Sequence, residues 1–198
     1  MSQMLETIKC IDGKLFNLPY HNIRFNATRK LYFGLSDTIQ LEEKIEIPKC
    51  FNKGIFRCRV LYSETIEKIE FIPHQFRNIE NLKIVEANEI DYQFKYSDRK
   101  VFNVLLEKHK NFDDILIVKN GYLTDSSSAN SIFFDGIKWW TPDTPLLAGT
   151  QRAKLIDEGK ISICKIRPQD IPKYKTVGLI NAMWNWNEMP VILTENIL

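Results

Sequence analysis

The sequence has 198 residues, of which 44% are hydrophobic and 26% are charged, and its formal net charge at pH 7 is +2. This composition is typical of a soluble globular protein with a substantial core, and so small a charge gives no reason to expect a nucleic-acid partner. No apolar run reaches the length that crosses a bilayer, so a cytoplasmic location is the default expectation. The four cysteines are scattered without a C-x-x-C pair, which favours free thiols over a metal site or a disulfide framework.

The first part of the chain predicts a sheet with one helix. Apolar and polar residues alternate up to Gly13, which predicts a strand that enters a turn. A helix is expected over residues 20–31, with Gly34 as its stop signal. The apolar residues that recur at helical spacing are Ile23, Ala27 and Leu31. Alternation between residues 54 and 71 predicts a pair of strands.

Two sets of basic residues in this part are either ligands or ordinary surface groups. His21 and Arg24 lie three residues apart and share a helix face. Taken alone, such a pair is more often a solvated face than a site. Arg57 and Arg59 alternate along one predicted strand, where arginines usually meet solvent. The sequence does not say which of these two arginines faces inward.

A segment of little periodicity, residues 73–91, predicts a linker into a larger lobe. Beyond it, aromatic residues alternate with polar ones and place Lys95 on the face opposite the aromatics, before a predicted helix. A lysine at such a junction is ordinarily a surface residue. Buried strands are predicted at residues 115–118, 131–134, 161–166 and 177–180.

The most informative stretch is NGYLTDSSSAN, from Asn120 to Asn130. Turn signals at Asn120-Gly121 and Asp135-Gly136 predict a polar loop between two buried strands. Further on, Ala148-Gly149-Thr150-Gln151-Arg152 leads into an apolar pattern at helical spacing. A glycine followed by a hydroxyl residue at a helix start suits an anion.

The order of these segments, NGYLTDSSSAN, IFF, DG, TP and LLAGTQR, resembles the core signature of the class IV (fold-type IV) aminotransferase family, whose cofactor is pyridoxal 5′-phosphate (PLP). That family contains branched-chain aminotransferases, D-amino acid aminotransferases and 4-amino-4-deoxychorismate lyases. The resemblance implies a two-lobed α+β or α/β enzyme: a small N-terminal α/β lobe (residues 1–80) and a larger mixed-sheet lobe (residues 81–198, including the linker), with the site between them. It also implies a homodimer that acts on a small-molecule substrate.

The resemblance assigns an expected role to individual residues. Lys95 is expected to be the catalytic lysine that binds PLP covalently, since Lys95 and Arg99 resemble the K-x-x-x-R pattern of the lyase branch. Asp125 occupies the position where the family usually has the glutamate that pairs with the pyridine nitrogen. Thr7 and Arg59 are expected to bind substrate, with Arg57 a weaker candidate. The other expected cofactor-binding residues, chiefly for the phosphate, are Arg24, Asn130, Gly149, Thr150, Gln151, Asn181 and Ala182.

The K-x-x-x-R spacing and the Asn181-Ala182 turn favour a lyase that converts 4-amino-4-deoxychorismate to 4-aminobenzoate, a folate precursor, and pyruvate. Two alternatives stay open: a class IV aminotransferase of branched-chain or D-amino acids, and a PLP-binding protein without turnover. Aspartate at position 125 is one methylene shorter than the usual glutamate. Either the loop lies closer to the cofactor than in the family, or the contact with the ring nitrogen is weaker.

Overall fold

The computed structural model describes residues 2–198, which divide into two compact units. The first unit runs through Phe76 and also includes Phe94–Asp98. The second unit consists of Arg77–Gln93 and Arg99–Leu198. The chain therefore passes between the units more than once, and Lys95 belongs to the first.

The first unit is a four-stranded antiparallel sheet with one long helix, and its strands are ordered β2-β1-β3-β4. Its elements are β1 (Met4–Ile11), β2 (Lys14–Leu15), α1 (Leu18–Phe33), β3 (Ile55–Tyr62) and β4 (Ile66–Pro73). Asp12 and Gly13 form the turn between β1 and β2 with φ angles of 48° and 74°. This left-handed backbone explains the glycine. The predicted strand, turn and helix are confirmed.

Helix α1 buries its polar side. It ends at Gly34, which has a φ of 74° and donates its N–H to the carbonyl of Arg29. The apolar stripe that predicted the helix faces outward, with Ile23 and Leu31 68% and 73% exposed. The buried residues of the helix are His21, Asn22, Phe25, Thr28 and Arg29. Helical spacing therefore predicted the element correctly but not the face that it buries.

The second unit is built on an eight-stranded mixed sheet. Its strands are β5 (Leu82–Glu86), β6 (Asp114–Lys119), β7 (Tyr122–Ser126), β8 (Asn130–Phe134), β9 (Trp139–Pro142), β10 (Ile161–Cys164), β11 (Thr176–Ile180) and β12 (Val191–Leu193). Its helices are α2 (Lys100–Lys108) and α3 (Thr150–Asp157). The pairs β5–β6 and β9–β10 are parallel, and the others are antiparallel.

Strand β8 is the branch point of this sheet. One neighbour, β11, pairs with β8 along its whole length. At opposite ends, β8 also pairs with β7 through Asn130 and with β9 through Phe133 and Phe134. At its Asn130 end, β8 is therefore paired with both β7 and β11.

The polar loop predicted over Asn120 to Asn130 is in fact mostly strand. Thr124 and Asp125 are buried in β7, and the Thr124 hydroxyl donates to the carbonyl of Ile117 at 2.8 Å. Because hydrogen bonds satisfy these polar side chains, the strand can bury them. Only residues 127–129 form the connecting loop.

Within residues 2–198, no helix is long and apolar enough to cross a membrane.

Candidate active site

A buried cluster of three side chains joins α1 to β1 in the first unit. The Glu6 carboxylate accepts from Arg24 Nε and Nη2 at 2.8 and 2.6 Å. Glu6 Oε2 also lies 2.6 Å from His21 Nδ1. Glu6 and His21 have no exposed side-chain surface, and Arg24 is 13% exposed. The H-x-x-R pair is therefore bound to a strand carboxylate and is not a solvated helix face.

Charge decides the protonation states in this cluster. Burial acts to raise the pKa of Glu6, but the charge of Arg24 and the hydrogen bonds from His21 and Arg24 outweigh it and hold that pKa at about 2. Burial lowers the pKa of His21 although the Glu6 contact opposes it, and the charges of Arg24 and Lys95 lower it further. Neutral His21 therefore donates Nδ1–H to an ionised Glu6.

Lys95 lies beside β1, at the start of the strand. Its carbonyl accepts from the N–H of Leu5 at 2.9 Å, and the next residue, Tyr96, forms a β-bridge with Met4. Phe94 and Tyr96 pack edge-on against Tyr32 and contact the hydrophobic core of the first unit. The Lys95 side chain is half-buried and close enough to His21 to lower the pKa of its ring.

Thr7 and Arg59 are direct partners in the β1–β3 pairing, so that they share one face of the sheet. Arg59 Nη1 contacts Glu70 Oε1 at 2.6 Å, and Lys68 contacts the other oxygen of Glu70 at 2.6 Å. Arg57 lies two residues from Arg59 and therefore on the same face. Both arginines point to the side that carries Thr7, and Arg59 already has a carboxylate partner.

Sequence reasoning missed a cationic cluster on this face, formed by Lys9, Arg57 and His74. Lys9 is buried and pairs with Arg57 across the strands. Its Nζ lies 5.7 Å from the centroid of the Phe76 ring, and the His74 ring centroid lies 4.7 Å from the same centroid. Arg57 Nε and His74 Nε2 are buried and have no hydrogen-bond partner. The signal available in the sequence was the alternation along β1, which puts Lys9 beside Thr7.

The positive charge of this cluster affects the imidazole. Burial lowers the pKa of His74, and the charges of Arg57 and Lys9 lower it further. An anion placed here would oppose the effect of the Arg57 and Lys9 charges on the pKa of His74. It would also meet Arg57 Nε and His74 Nε2, which have no hydrogen-bond partner. The face is therefore suited to a carboxylate or phosphate group.

In the second unit, Asp125 is buried and accepts hydrogen bonds at both oxygens. Asn130 Nδ2 donates to Oδ1 at 2.8 Å, and the N–H of Leu147 donates to Oδ2 at 3.0 Å. Burial raises the pKa of Asp125 to about 6, against the opposing effects of these hydrogen bonds and of the Arg152 charge. Each carboxylate oxygen has two acceptor positions, so Asp125 can still accept from a further donor.

The segment before α3 lies against this carboxylate. Asn130 Nδ2 also donates to the carbonyl of Leu147 at 2.9 Å. Gly149 precedes the helix, and Thr150 and Gln151 open it as buried residues. The N–H groups of a first helical turn point out of the helix start and carry its positive partial charge. The helix start predicted at Gly149-Thr150 is confirmed.

The turn after β11 contacts the loop between β7 and β8. Asn181 Nδ2 donates to the carbonyl of Ser128 at 3.3 Å, and Asn181 Oδ1 accepts from the N–H of Met183 at 2.9 Å. Ala182 lies within this turn. The second unit therefore brings together Asp125, Asn130 and Leu147 with Gly149, and separately Asn181 with Ser128.

Three residues that sequence reasoning missed hold the same loop. Arg99 Nη2 donates to the carbonyl of Ser127 at 2.6 Å, and the carboxylate of Asp114 accepts from the N–H of Ser127 at 3.3 Å. The Ser126 hydroxyl accepts from the backbone N–H groups of Ser128 and Ala129. The spacing of Arg99 from Lys95 gave it no expected role of its own, whereas in the structure Arg99 stabilises the loop that follows Asp125.

Among residues 2–198, no group of His, Cys, Asp and Glu side chains is arranged to hold a metal ion.

The family model described as "Amino-transferase class IV" matches residues 3–191. A Haemophilus influenzae protein of uncharacterised function is 37% identical over 185 residues, which cover 92% of this chain and 98% of the relative. A solved structure from Haemophilus somnus 129PT, provisionally named a 4-amino-4-deoxychorismate lyase, is 34% identical with a TM-score of 0.85 and covers 92% of this chain and 97% of its own.

More distant structures share the fold. A Mesorhizobium loti protein, provisionally named an amino-acid aminotransferase, has a TM-score of 0.80 at 16% identity, with full coverage of both chains. A hypothetical aminotransferase from Mycobacterium tuberculosis, solved in a PLP-bound form, has a TM-score of 0.79 at 15% identity and covers 96% of this chain and 80% of its own. The family match over residues 3–191 and the relatives above 30% identity show that the chain belongs to the class IV aminotransferases, the fold-type IV PLP-dependent enzymes.

Proposed function

We propose that the chain is a PLP-dependent lyase that converts 4-amino-4-deoxychorismate to 4-aminobenzoate and pyruvate. The observation that carries the proposal is the cationic face formed by Lys9, Arg57 and His74, where two buried nitrogens have no partner. The substrate has two carboxylates, and such a face complements them. The Haemophilus somnus relative supports the same reading, as does the spacing of Lys95 and Arg99.

The side chains present are suited to the cofactor. A lysine beside β1, a buried acid whose pKa of about 6 reflects its low-dielectric surroundings, and an arginine fork are what PLP requires of its protein. Asp125 retains acceptor capacity for a protonated ring nitrogen. When bound, PLP supplies an electron sink for the bond that breaks next to the substrate amine.

We assign the roles as follows. Lys95 would hold the cofactor, and its side-chain amine would be the base that removes the proton from C4 of the substrate ring. Burial lowers the pKa of His21, and the charges of Arg24 and Lys95 lower it further, so His21 does not add charge beside this lysine. Asp125 keeps the proton on the ring nitrogen.

The phosphate is assigned to Arg24, to the α3 start and to the turn after β11. The N–H groups of a helix start and a guanidinium complement a dianion, although Arg24 would have to share its guanidinium with Glu6. The residues concerned are Arg24, Gly149, Thr150, Gln151, Asn181 and Ala182. Thr7 and Arg59 are assigned to the substrate, although Arg59 would have to share its guanidinium with Glu70.

The test is a comparison of substrates with the PLP-loaded protein. One sample receives 4-amino-4-deoxychorismate, and two others receive branched-chain or D-amino acids together with 2-oxoglutarate. We expect pyruvate from the first sample and no glutamate from the other two. Glutamate formation without pyruvate release would show that the protein is an aminotransferase and not a lyase. Tight PLP binding without either product would indicate a PLP-binding protein without turnover.

A homodimer is part of this proposal and rests on the family resemblance, while a cytoplasmic location is carried over as the expectation from a sequence without a long apolar run. Sedimentation velocity of the PLP-loaded protein would measure the mass directly. A monomer at micromolar concentration would contradict the dimer.

A further inference from the structure

The side chains of Asp125 and Asn130 fasten the segment before α3 to the β7–β8 turn region. Asn130 Nδ2 donates to Asp125 Oδ1 at 2.8 Å and to the carbonyl of Leu147 at 2.9 Å. The N–H of Leu147 returns a hydrogen bond to Asp125 Oδ2 at 3.0 Å. A side-chain amide nitrogen has two N–H groups, so both of those in Asn130 are committed within the protein.

Gly149 completes the arrangement for a steric reason. Its φ of −71° and ψ of 140° are accessible to any L-amino acid, so the backbone does not require glycine. A Cβ at this position, however, would lie 1.8 Å from Asn130 Oδ1 and 3.0 Å from its Cγ. Glycine is needed because the Asn130 amide fills the space that a larger residue would occupy.

We propose that Asp125, Asn130 and Gly149 form a latch that positions the N-terminus of α3 for an anion, and that Asn130 is a positioning residue and not a phosphate ligand. Leu147 lies two residues before Gly149, so its hydrogen bonds to the latch fix where the helix begins. The direction of the first-turn N–H groups follows from that position. The proposal rests on the proposed function, in which this helix start holds the cofactor phosphate.

The latch predicts that its loss weakens the binding of PLP but not the binding of pyridoxal, which has no phosphate. Dissociation constants for PLP and for pyridoxal would be measured by absorbance titration, and the ratio of the pyridoxal constant to the PLP constant reports the phosphate contribution. Asn130→Ala should lower this ratio roughly three- to tenfold, the size expected when a helix-start contact is misaligned. Pyridoxal affinity itself should change little.

Gly149→Ala tests the steric part of the latch. In the wild-type background the new methyl group must displace Asn130, so the ratio should fall by a similar factor. In the Asn130→Ala background the space is open, and Gly149→Ala should then have little further effect. Equal losses in both backgrounds would overturn the latch.

Ser131→Ala is the matched control, because Ser131 is the next residue of β8 and donates its buried hydroxyl to the carbonyl of Thr124. It should lower the thermal midpoint without changing the ratio of the pyridoxal dissociation constant to the PLP dissociation constant. A similar fall in the ratio for Ser131→Ala would show that general loosening of β8 is sufficient, and the latch would be rejected.

Arg24→Ala separates this inference from the proposed function. A fall in the ratio for Arg24→Ala but not for Asn130→Ala would reject the latch and keep the phosphate assignment of Arg24. A fall for Asn130→Ala but not for Arg24→Ala would support the latch and remove Arg24 from the proposed phosphate site. Unchanged ratios in both variants would reject both.

Discussion

At the scale of single residues, Glu6 is the clearest case of a charge kept in the core by its partners. It is fully buried, yet the Arg24 fork and the His21 ring hold its pKa near 2. A carboxylate in this position would cost several kcal/mol without them. Its acid–base behaviour therefore reports directly on the contact between α1 and β1.

The Glu6 cluster predicts a specific acid sensitivity. The folded pKa of about 2 lies below the ordinary value of 4.5, so this group stabilises the fold fully above pH 4.5 and loses the contribution as the pH falls toward 2. The full contribution corresponds to about 3 kcal/mol. Urea unfolding between pH 6 and pH 3 should show a steeper loss for the wild type than for Glu6→Gln. Parallel curves would contradict the buried ion pair.

Lys95 is predicted to be the residue that PLP modifies. Borohydride reduction of the loaded protein followed by peptide mapping should place the pyridoxyl group on the peptide containing Lys95. The nearby Lys100 serves as an internal comparison, since it lies on exposed surface at the start of α2. A label on another lysine would reject the assignment.

Asp125→Asn should reduce turnover more than cofactor affinity, which should fall about as far as in Asn130→Ala because the new amide nitrogen replaces one of the two oxygens that accept in the latch. The substitution removes the charge that holds the proton on the ring nitrogen while keeping the shape of the side chain. Loss of a charge-assisted hydrogen bond of about 1.5–3 kcal/mol corresponds to roughly a tenfold to hundredfold fall in rate. Turnover of 4-amino-4-deoxychorismate and the absorbance of bound PLP are the two measurements.

The control for this prediction is Asp125→Glu, which restores the usual family residue. The longer side chain loses the short contacts to Asn130 and Leu147, so we expect lower PLP affinity with partial turnover. Wild-type values for Asp125→Asn in both measurements would show that Asp125 does not pair with the ring nitrogen.

At the scale of elements, α1 shows how a helix can be stabilised through polar contacts. Asn22 Oδ1 accepts from the N–H of Leu41, and its Nδ2 donates to Gln40 and Glu42. These bonds tie the helix to the segment that follows it. The exposed stripe that includes Ile23 adds little to this packing.

Truncating a polar residue on the buried side of α1 should therefore lower the unfolding free energy more than truncating an apolar residue on its exposed side. Asn22→Ala leaves a buried backbone N–H without its acceptor and should cost about 1–3 kcal/mol of unfolding free energy. Ile23→Ala on the exposed side should change it by less than about 0.5 kcal/mol. Chemical denaturation of the two variants makes the comparison, and a larger loss for Ile23→Ala would contradict the burial of the polar side.

Local signals predicted the elements better than their environments. The turn at Gly13 and the stop at Gly34 follow from backbone preferences that a single residue carries. The outward stripe of α1 could not be predicted, because burial depends on what β1 and the segment after the helix offer. Tertiary hydrogen bonds here outweigh the periodic signal.

At the scale of the whole molecule, the sequence motifs identified the family and most candidate residues, but not their partners. Lys9 and Arg57 lie on β1 and β3, and His74 directly follows β4, so only the pairing of β1 with β3 and of β3 with β4 brings them together. The latch similarly requires β7, β8 and the segment before α3. Such long-range pairings are not visible in local periodicity, whereas the family signature is a local pattern.

The proposed chemistry is tested most directly by the products formed from 4-amino-4-deoxychorismate when no keto-acid acceptor is present. We predict that the PLP-loaded wild type releases pyruvate and 4-aminobenzoate in equal amounts over many turnovers, and that Lys95→Ala releases neither above the uncatalysed rate. Absence of both products from wild-type protein with a full complement of bound PLP would contradict the lyase assignment.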